Sequence, residues 1–311
     1  MLIAAVLKSL CAILGHDPRT VSVAASIISK DRQLNARQYL RELEESQPSR
    51  DLPLEERELF RPMKLAFSKL RPQTQIFLRV CAHLDRRNIW SDMLDHIEEC
   101  ELSTHLWSQS GALNMAIRDL ENFSLLEADN KMSSGTPRHV LHPAMYRYIR
   151  HSNLQQDKDM QQLFFSVAVF VIGRSVPEKQ FPGYHEHIRR LQGHVEGCYV
   201  DFINLGHRVF SWCRASLARL AIVLDRLGDT EKATRLLGMT INLFAPADQL
   251  SEFEELQRID MVNSQGVFLL DQRRFQAARD CFETVIASQS WSRAKQGGQQ
   301  PINPILDHQI G

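Results

Sequence analysis

A mainly α-helical chain with one small β-hairpin is what the sequence predicts, and three observations predict it. Apolar residues recur at three- and four-residue spacing through most of the 311 residues. Two short strand-like runs, Ser124–Ala128 and Arg138–Leu141, flank a Gly/Ser/Asn loop over Asp129–Pro137. From residue 156 onward the pattern stays helical, with small residues where two helices would have to meet.

The N-terminal stretch Met1–Leu14 reads as a helix apolar nearly all round, hence buried. Lys8 interrupts it, no basic residue precedes it and no small-residue cleavage site follows, which argues against a secretory leader. Gly15 ends that helix and Pro18 opens the next, where a missing N–H costs nothing. Val21, Ala24, Ala25 and Ile28 recur on it through Lys30. Asn35, with Gln38 three residues on, looks like the cap of a third helix burying Ala36, Tyr39, Leu40 and Leu43.

Residues 46–53 form a polar, proline-bounded linker. Four helical segments are expected after it. The first carries Leu65, Phe67 and Leu70; the second Ile76, Phe77, Val80, Cys81 and Leu84, with a turn at Asp85. The third is capped by Asn88 and bears Trp90, Leu94 and Ile97, and the fourth carries Leu113, Met115, Ile117 and Leu120. Helices, then a hairpin, then a last helix make a winged-helix pattern. That last helix starts at Pro143, directly after Leu141-His142, and Met145, Tyr148 and Ile149 give it one apolar face. His142 is therefore held at a strand-to-helix junction beside free helix N–H groups, a setting suited to phosphate.

Farther on, Met160, Leu163, Phe164, Val167 and Val171 line one helix face, and Pro177–Gly183 breaks the pattern. His185, His187, His194 and Cys198 follow, without the second Cys/His pair that closed tetrahedral metal spacing requires, so solvated or packing roles are expected. Two later stretches have the form of tetratricopeptide repeats. In one, Ala221 and Ala233 are the small positions, Leu227-Gly228-Asp229 the turn and Leu237 the packing residue; in the other, Gly266, Phe275, Ala278 and Phe282 fill those places. Ala233 and Ala278 are 45 residues apart, with a small insertion around Pro246–Glu254. A generic pair of helical hairpins fits the same residues. The tail Ser288–Gly311 turns polar.

The segment Leu141-His142-Pro143 resembles the Met-His-Asp motif in the winged helix of NB-ARC-type STAND ATPases, nucleotide switches that include NLR immune receptors, in the variant of fungal NB-ARC/TPR proteins. Pro143 stands where the family has aspartate. Gly15 to Val21 resembles the family's Gly-Leu-Pro-Leu-Ala-Leu segment, with Arg19-Thr20-Val21 in place of its end, and Phe77–Asp85 resembles the opening core helix of its winged domain. Gly15 and Pro18 also fit an ordinary helix–turn–helix. The resemblance implies that Pro18 packs near an adenine and that His142 senses the β-phosphate of ADP. It divides the chain into the end of a helical subdomain (1–48), a winged helix (53–155) and tetratricopeptide-like repeats (156–311), a mainly α fold ending in an α-solenoid.

What is missing bounds the function. No Gly-x-x-x-x-Gly-Lys-Ser/Thr phosphate loop, no acidic strand end for Mg²⁺, no Gly-x-Ser-x-Gly and no His-Glu-x-x-His occurs. A non-catalytic protein is expected, binding no cofactor tightly by itself, ADP or ATP belonging to full-length relatives. Lys plus Arg equals Asp plus Glu at 37 each, and residues 53–155 hold 13 of each sign, with Arg118 facing Asp119 and Glu121 on the fourth helix. No nucleic-acid partner is expected from that balance. Six scattered cysteines without a Cys-x-x-Cys pair fit reduced thiols, hence a cytoplasmic protein with no membrane partner. The partner is expected to be a protein or peptide on the repeats, with oligomerisation in a full-length context. A helical-repeat adaptor unrelated to nucleotide switching is the alternative.

Overall fold

The computed structural model describes residues 2–31, 34–46, 53–100, 111–129, 138–206, 208–246 and 249–288. Most of the 46–53 linker, the hairpin loop and the tail from residue 289 lie outside these residues, as does part of the insertion near Pro246. The chain is mainly helical, with one small three-stranded antiparallel sheet. It divides between Phe164 and Phe165, inside a helix, into two units; residues 1–48 and 53–155 both belong to the first.

The first unit begins with α1 (Leu2–Ile13), which is not buried all round. Leu10 and Leu14 are covered while Leu7 is 48% exposed. Among the described residues, α1 packs on α3. Gly15 and His16, both left-handed, turn the chain into α2 (Pro18–Lys30), whose N-cap Asp17 accepts the Thr20 N–H at 3.0 Å. The buried stripe of α2 is Thr20, Val23, Ala24 and Ile27, rotated from the expected one, and Ala25 is exposed. Alanine weighs little in burial, so the larger Val23 and Ile27 set the face. α3 (Ala36–Glu45) carries the expected capping box of Asn35 and Gln38 and buries Tyr39 and Leu43.

α4 (Leu54–Lys69) contains Pro62 inside it, which removes one i→i−4 donor. Then come α5 (Pro72–Cys81), β1 (Ile89–Trp90), α6 (Ser91–Asp95), α7 (Ala112–Asn122), β2 (Leu126–Asp129), β3 (Arg138–Leu141) and α8 (Pro143–Leu154). β3 lies between the other strands, pairing Ile89 with His139 and Leu126 with Leu141. The residues assigned from sequence to a third helix capped by Asn88 instead begin as β1, because Ile89 and Trp90 extend the edge of the hairpin and bury both side chains. On α7 the buried residues are Ala112, Leu113, Ala116 and Leu120, and Met115 is 40% exposed. Its side chain lies instead beside Arg71, which donates to the Met115 carbonyl at 2.9 Å and to Asp119 at 2.5 Å.

α8 is fastened to α5 by a reciprocal pair. Arg79 Nη1 donates to Asn153 Oδ1, and Asn153 Nδ2 donates to the Arg79 carbonyl, each at 3.0 Å. The Arg79 guanidinium lies 5.1 Å above the Phe67 ring, and Tyr148 packs edge-on to Phe60 and Phe67.

α9 (Lys158–Arg174) runs across the division. Rather than one apolar face, it buries every residue from Phe164 to Val169 and again Val171 to Gly173. Small side chains at Ser166, Ala168 and Gly173 make this possible by letting neighbours close in; a Cβ on Gly173 would sit 2.5 Å from Ser216 Cβ. In the second unit follow α10 (Tyr184–Asn204), a 3₁₀ turn (Ser211–Cys213), α11 (Arg214–Arg226), α12 (Thr230–Ile241), α13 (Glu252–Asp271) and α14 (Phe275–Ala287).

The last four helices form two hairpins with the same plan 45 residues apart. Ala221 and Ala233 are fully buried in the first, as is Ala278 in the second. At Gly266 an added Cβ would come 2.8 Å from the Phe282 ring, so only glycine admits that ring. Gly228 turns the first hairpin with φ +90°, and Arg273 holds the matching place in the second at φ +60°. Phe275 departs from expectation: it opens α14 on the outside, 65% exposed. The hairpins are tied by Gln272 Nε2, which donates to the Thr230 carbonyl at 2.9 Å and to Thr234 Oγ1 at 2.7 Å.

Candidate functional site

His142 ends β3 and is the N-cap of α8, with Pro143 at the first helical position. Its backbone N–H donates to the Leu125 carbonyl at 2.9 Å and its own carbonyl accepts from Tyr146 at 2.9 Å. The ring is fixed too: the Ala144 N–H donates to Nδ1 at 3.2 Å. An accepting Nδ1 must carry its lone pair, so in the neutral ring the proton sits on Nε2. Nε2 is buried and has no hydrogen-bond partner, and the residue is only 6% exposed. A buried donor without an acceptor costs about 1–3 kcal/mol, and it is the group an anionic oxygen would satisfy. Burial lowers the pKa of the ring; Asp17 and Glu127 oppose that shift while Arg19 and Arg86 reinforce it.

Pro18 lies at the start of α2, exposed, between Asp17 and Arg19. α2 runs along the turn between α7 and β2. Ser26 and Ser124 hydroxyls meet at 2.8 Å, and Lys30 donates to Asn122 at 3.0 Å. The next residue, Leu125, is the one that holds His142, so two segments far apart in sequence arrive at one place. Asp17 and Arg19 stand within electrostatic reach of His142. Burial pushes the Asp17 carboxyl up, but the Thr20 hydroxyl and N–H, the Arg19 N–H and the field of His142 together hold it below the ordinary carboxylate range.

The flanking groups Asp17, Arg19, Arg86 and Glu127 were not singled out from sequence. Asp17 had a readable signal, an Asp immediately before a helix-opening proline. Arg86 and Glu127 had none, because only the sheet brings them here: the Arg86 carbonyl accepts the Leu141 N–H at 2.8 Å, and Glu127 pairs with Val140. One further buried histidine, His139, lies on β3 with Ser91 Oγ 3.4 Å from Nε2 and Glu121 3.9 Å from Nδ1. Burial lowers its pKa, with Glu121 opposing.

The histidines of α10 separate. His187 Nε2 lies 3.0 Å from the Ser175 carbonyl, His185 is exposed against Tyr184, and His194 and Cys198 are buried. Among the described residues no three His, Cys, Asp or Glu side chains converge where they could hold a metal ion. Nor, among those residues, is any helix long and apolar enough to cross a membrane.

No family model matches this chain, and no curated protein is significantly similar to it.

Proposed function

We propose that this chain is the regulatory, protein-interaction portion of an NB-ARC/TPR-type STAND signalling protein, non-catalytic in itself. The observation that carries the reading is the convergence of the Pro18 turn and His142. The resemblance assigns these two to opposite ends of an ADP, and the reading is supported by Asp17 and Arg19, on either side of Pro18, lying within electrostatic reach of His142, whose Nε2 is a donor with no acceptor. The partial positive charge of each helix start favours phosphate. The winged helix acts as the moving part of a switch, and the helical hairpins that follow present a surface to a protein ligand or partner.

ADP binding by this chain alone is weak, because no phosphate loop wraps the α- and β-phosphates. Calorimetry at about 0.1 mM ADP should give no saturable heat, since a dissociation constant near 1 mM corresponds to only about −4 kcal/mol. Micromolar binding would overturn this reading.

A second reading, an adaptor built on helical repeats, draws on one observation. His142 already has a structural task, since its Nδ1 caps α8. Replacing it by Asn, an efficient cap, separates the two. The adaptor reading expects unchanged partner binding in the full-length protein, and the switch reading expects altered nucleotide dependence.

A further inference from the structure

The outer edge of the final hairpin carries a self-complementary stripe. On α14, Phe275 and Ile286 are 65% and 70% exposed, three turns and about 16 Å apart along the axis. Between them Arg279 and Glu283 are both exposed and linked by an i,i+4 ion pair at 2.6 Å. The inward face of the helix is a different one, built on Ala278 and Val285 and closed by Phe282 against Gly266. Phenylalanine and isoleucine are among the residue types most often inside a protein, and here both face solvent on one stripe of α14.

We infer that this stripe of α14 is a contact between two copies of the chain, packed antiparallel about a two-fold axis near residue 281. The register follows from the sequence. An axis there sets Phe275 of one copy opposite Ile286 of the other at both ends, and Arg279 opposite Glu283 twice at the centre. The parallel arrangement would set Arg279 beside Arg279 and Glu283 beside Glu283, a like-charge arrangement that costs free energy. Charge complementarity therefore selects both the occupant, a second copy, and its direction. A single helix flank per copy falls below the standard interface size, so the dimer is a weak one. The inference does not depend on the nucleotide-switch reading.

Sedimentation velocity of the full chain over a wide concentration range tests it. The parent should move from monomer toward dimer as concentration rises. I286E and F275E should each remain monomeric. R279E and E283R should each weaken association at least tenfold, and the exchange R279E/E283R should restore it, with circular dichroism showing that all variants keep the parent helix content. A monomer at every concentration, association unaffected by I286E, or an exchange variant no better than the single changes would each overturn the inference. So would dimerisation that appears only when residues 289–311 are removed, because the chain's own tail would then occupy the stripe.

Discussion

Gly173→Ala is the sharpest test of the packing between α9 and α11. The added methyl would stand 2.5 Å from Ser216 Cβ and 2.7 Å from Ser216 Cα. Carbon atoms meet comfortably at about 3.5–4.0 Å, so the overlap is about 1 Å. The obstructing atoms are backbone and side-chain root, which no rotamer change can move, so the helices must separate. Overpacking of this kind costs about 1–3 kcal/mol. Against that, alanine for glycine in a helix interior gains up to about 1 kcal/mol, and less here because Gly173 is the penultimate residue of α9. The net expectation is a loss of about 1–2 kcal/mol, or roughly 2–8 °C in Tm for a unit of this size. Gly197 in α10 is the control, since nothing lies within 4 Å of a Cβ placed there. Gly197→Ala should stabilise by up to about 1 kcal/mol. Urea unfolding followed by far-ultraviolet circular dichroism reads both. A Gly173→Ala protein as stable as the parent would refute the close crossing of α9 and α11.

Other predictions concern the turn and the histidines. Arg273 occupies the left-handed region where its counterpart is Gly228, so Arg273→Gly should raise stability by about 0.5–1 kcal/mol, relief of backbone strain outweighing the added chain entropy; a lower urea midpoint would contradict that. Burial lowers the pKa of both His139 and His142. The unfolded chain then binds protons more readily than the folded one, so stability is at its full value above the unfolded pKa near 6.5 and falls as pH drops below it. The slope cannot exceed about 1.4 kcal/mol per pH unit per histidine, the limit for one proton. His139→Gln together with His142→Gln should flatten the urea midpoint between pH 7.5 and 5.5, and an unchanged slope would show that neither ring stays neutral for this reason.

How much of this was legible in the sequence depends on how local the cause is. The Asn35/Gln38 box, Pro18 and Pro143 at helix starts, and the strand Arg138–Leu141 rest on neighbours a few residues away and stand where expected, while the first hairpin strand begins two residues late, at Leu126, and takes in Asp129. The close contact within each of the two helical hairpins was readable because Ala233 and Ala278 must be small for helices to touch. Ile89-Trp90 was not readable as a strand, since two residues carry no period and the pairing partner His139 is remote. Long-range burial defeated other readings: α1 and α9 are both strongly apolar, yet α9 is enclosed and α1 leaves Leu7 out. At the candidate site, His142 and Pro18 came from motif resemblance. Arg86 and Glu127 came only from the register of the sheet.

We propose that the α2 and α8 N-termini together sense phosphate. Amide chemical shifts in a ¹⁵N-labelled chain, followed while ADP is raised to several millimolar, test it most directly. Shifts should be concentrated at the amides of Arg19, Thr20 and Ala144, weak in affinity and lost in His142→Ala. Shifts scattered over both units, or none at these residues while others respond, would contradict it.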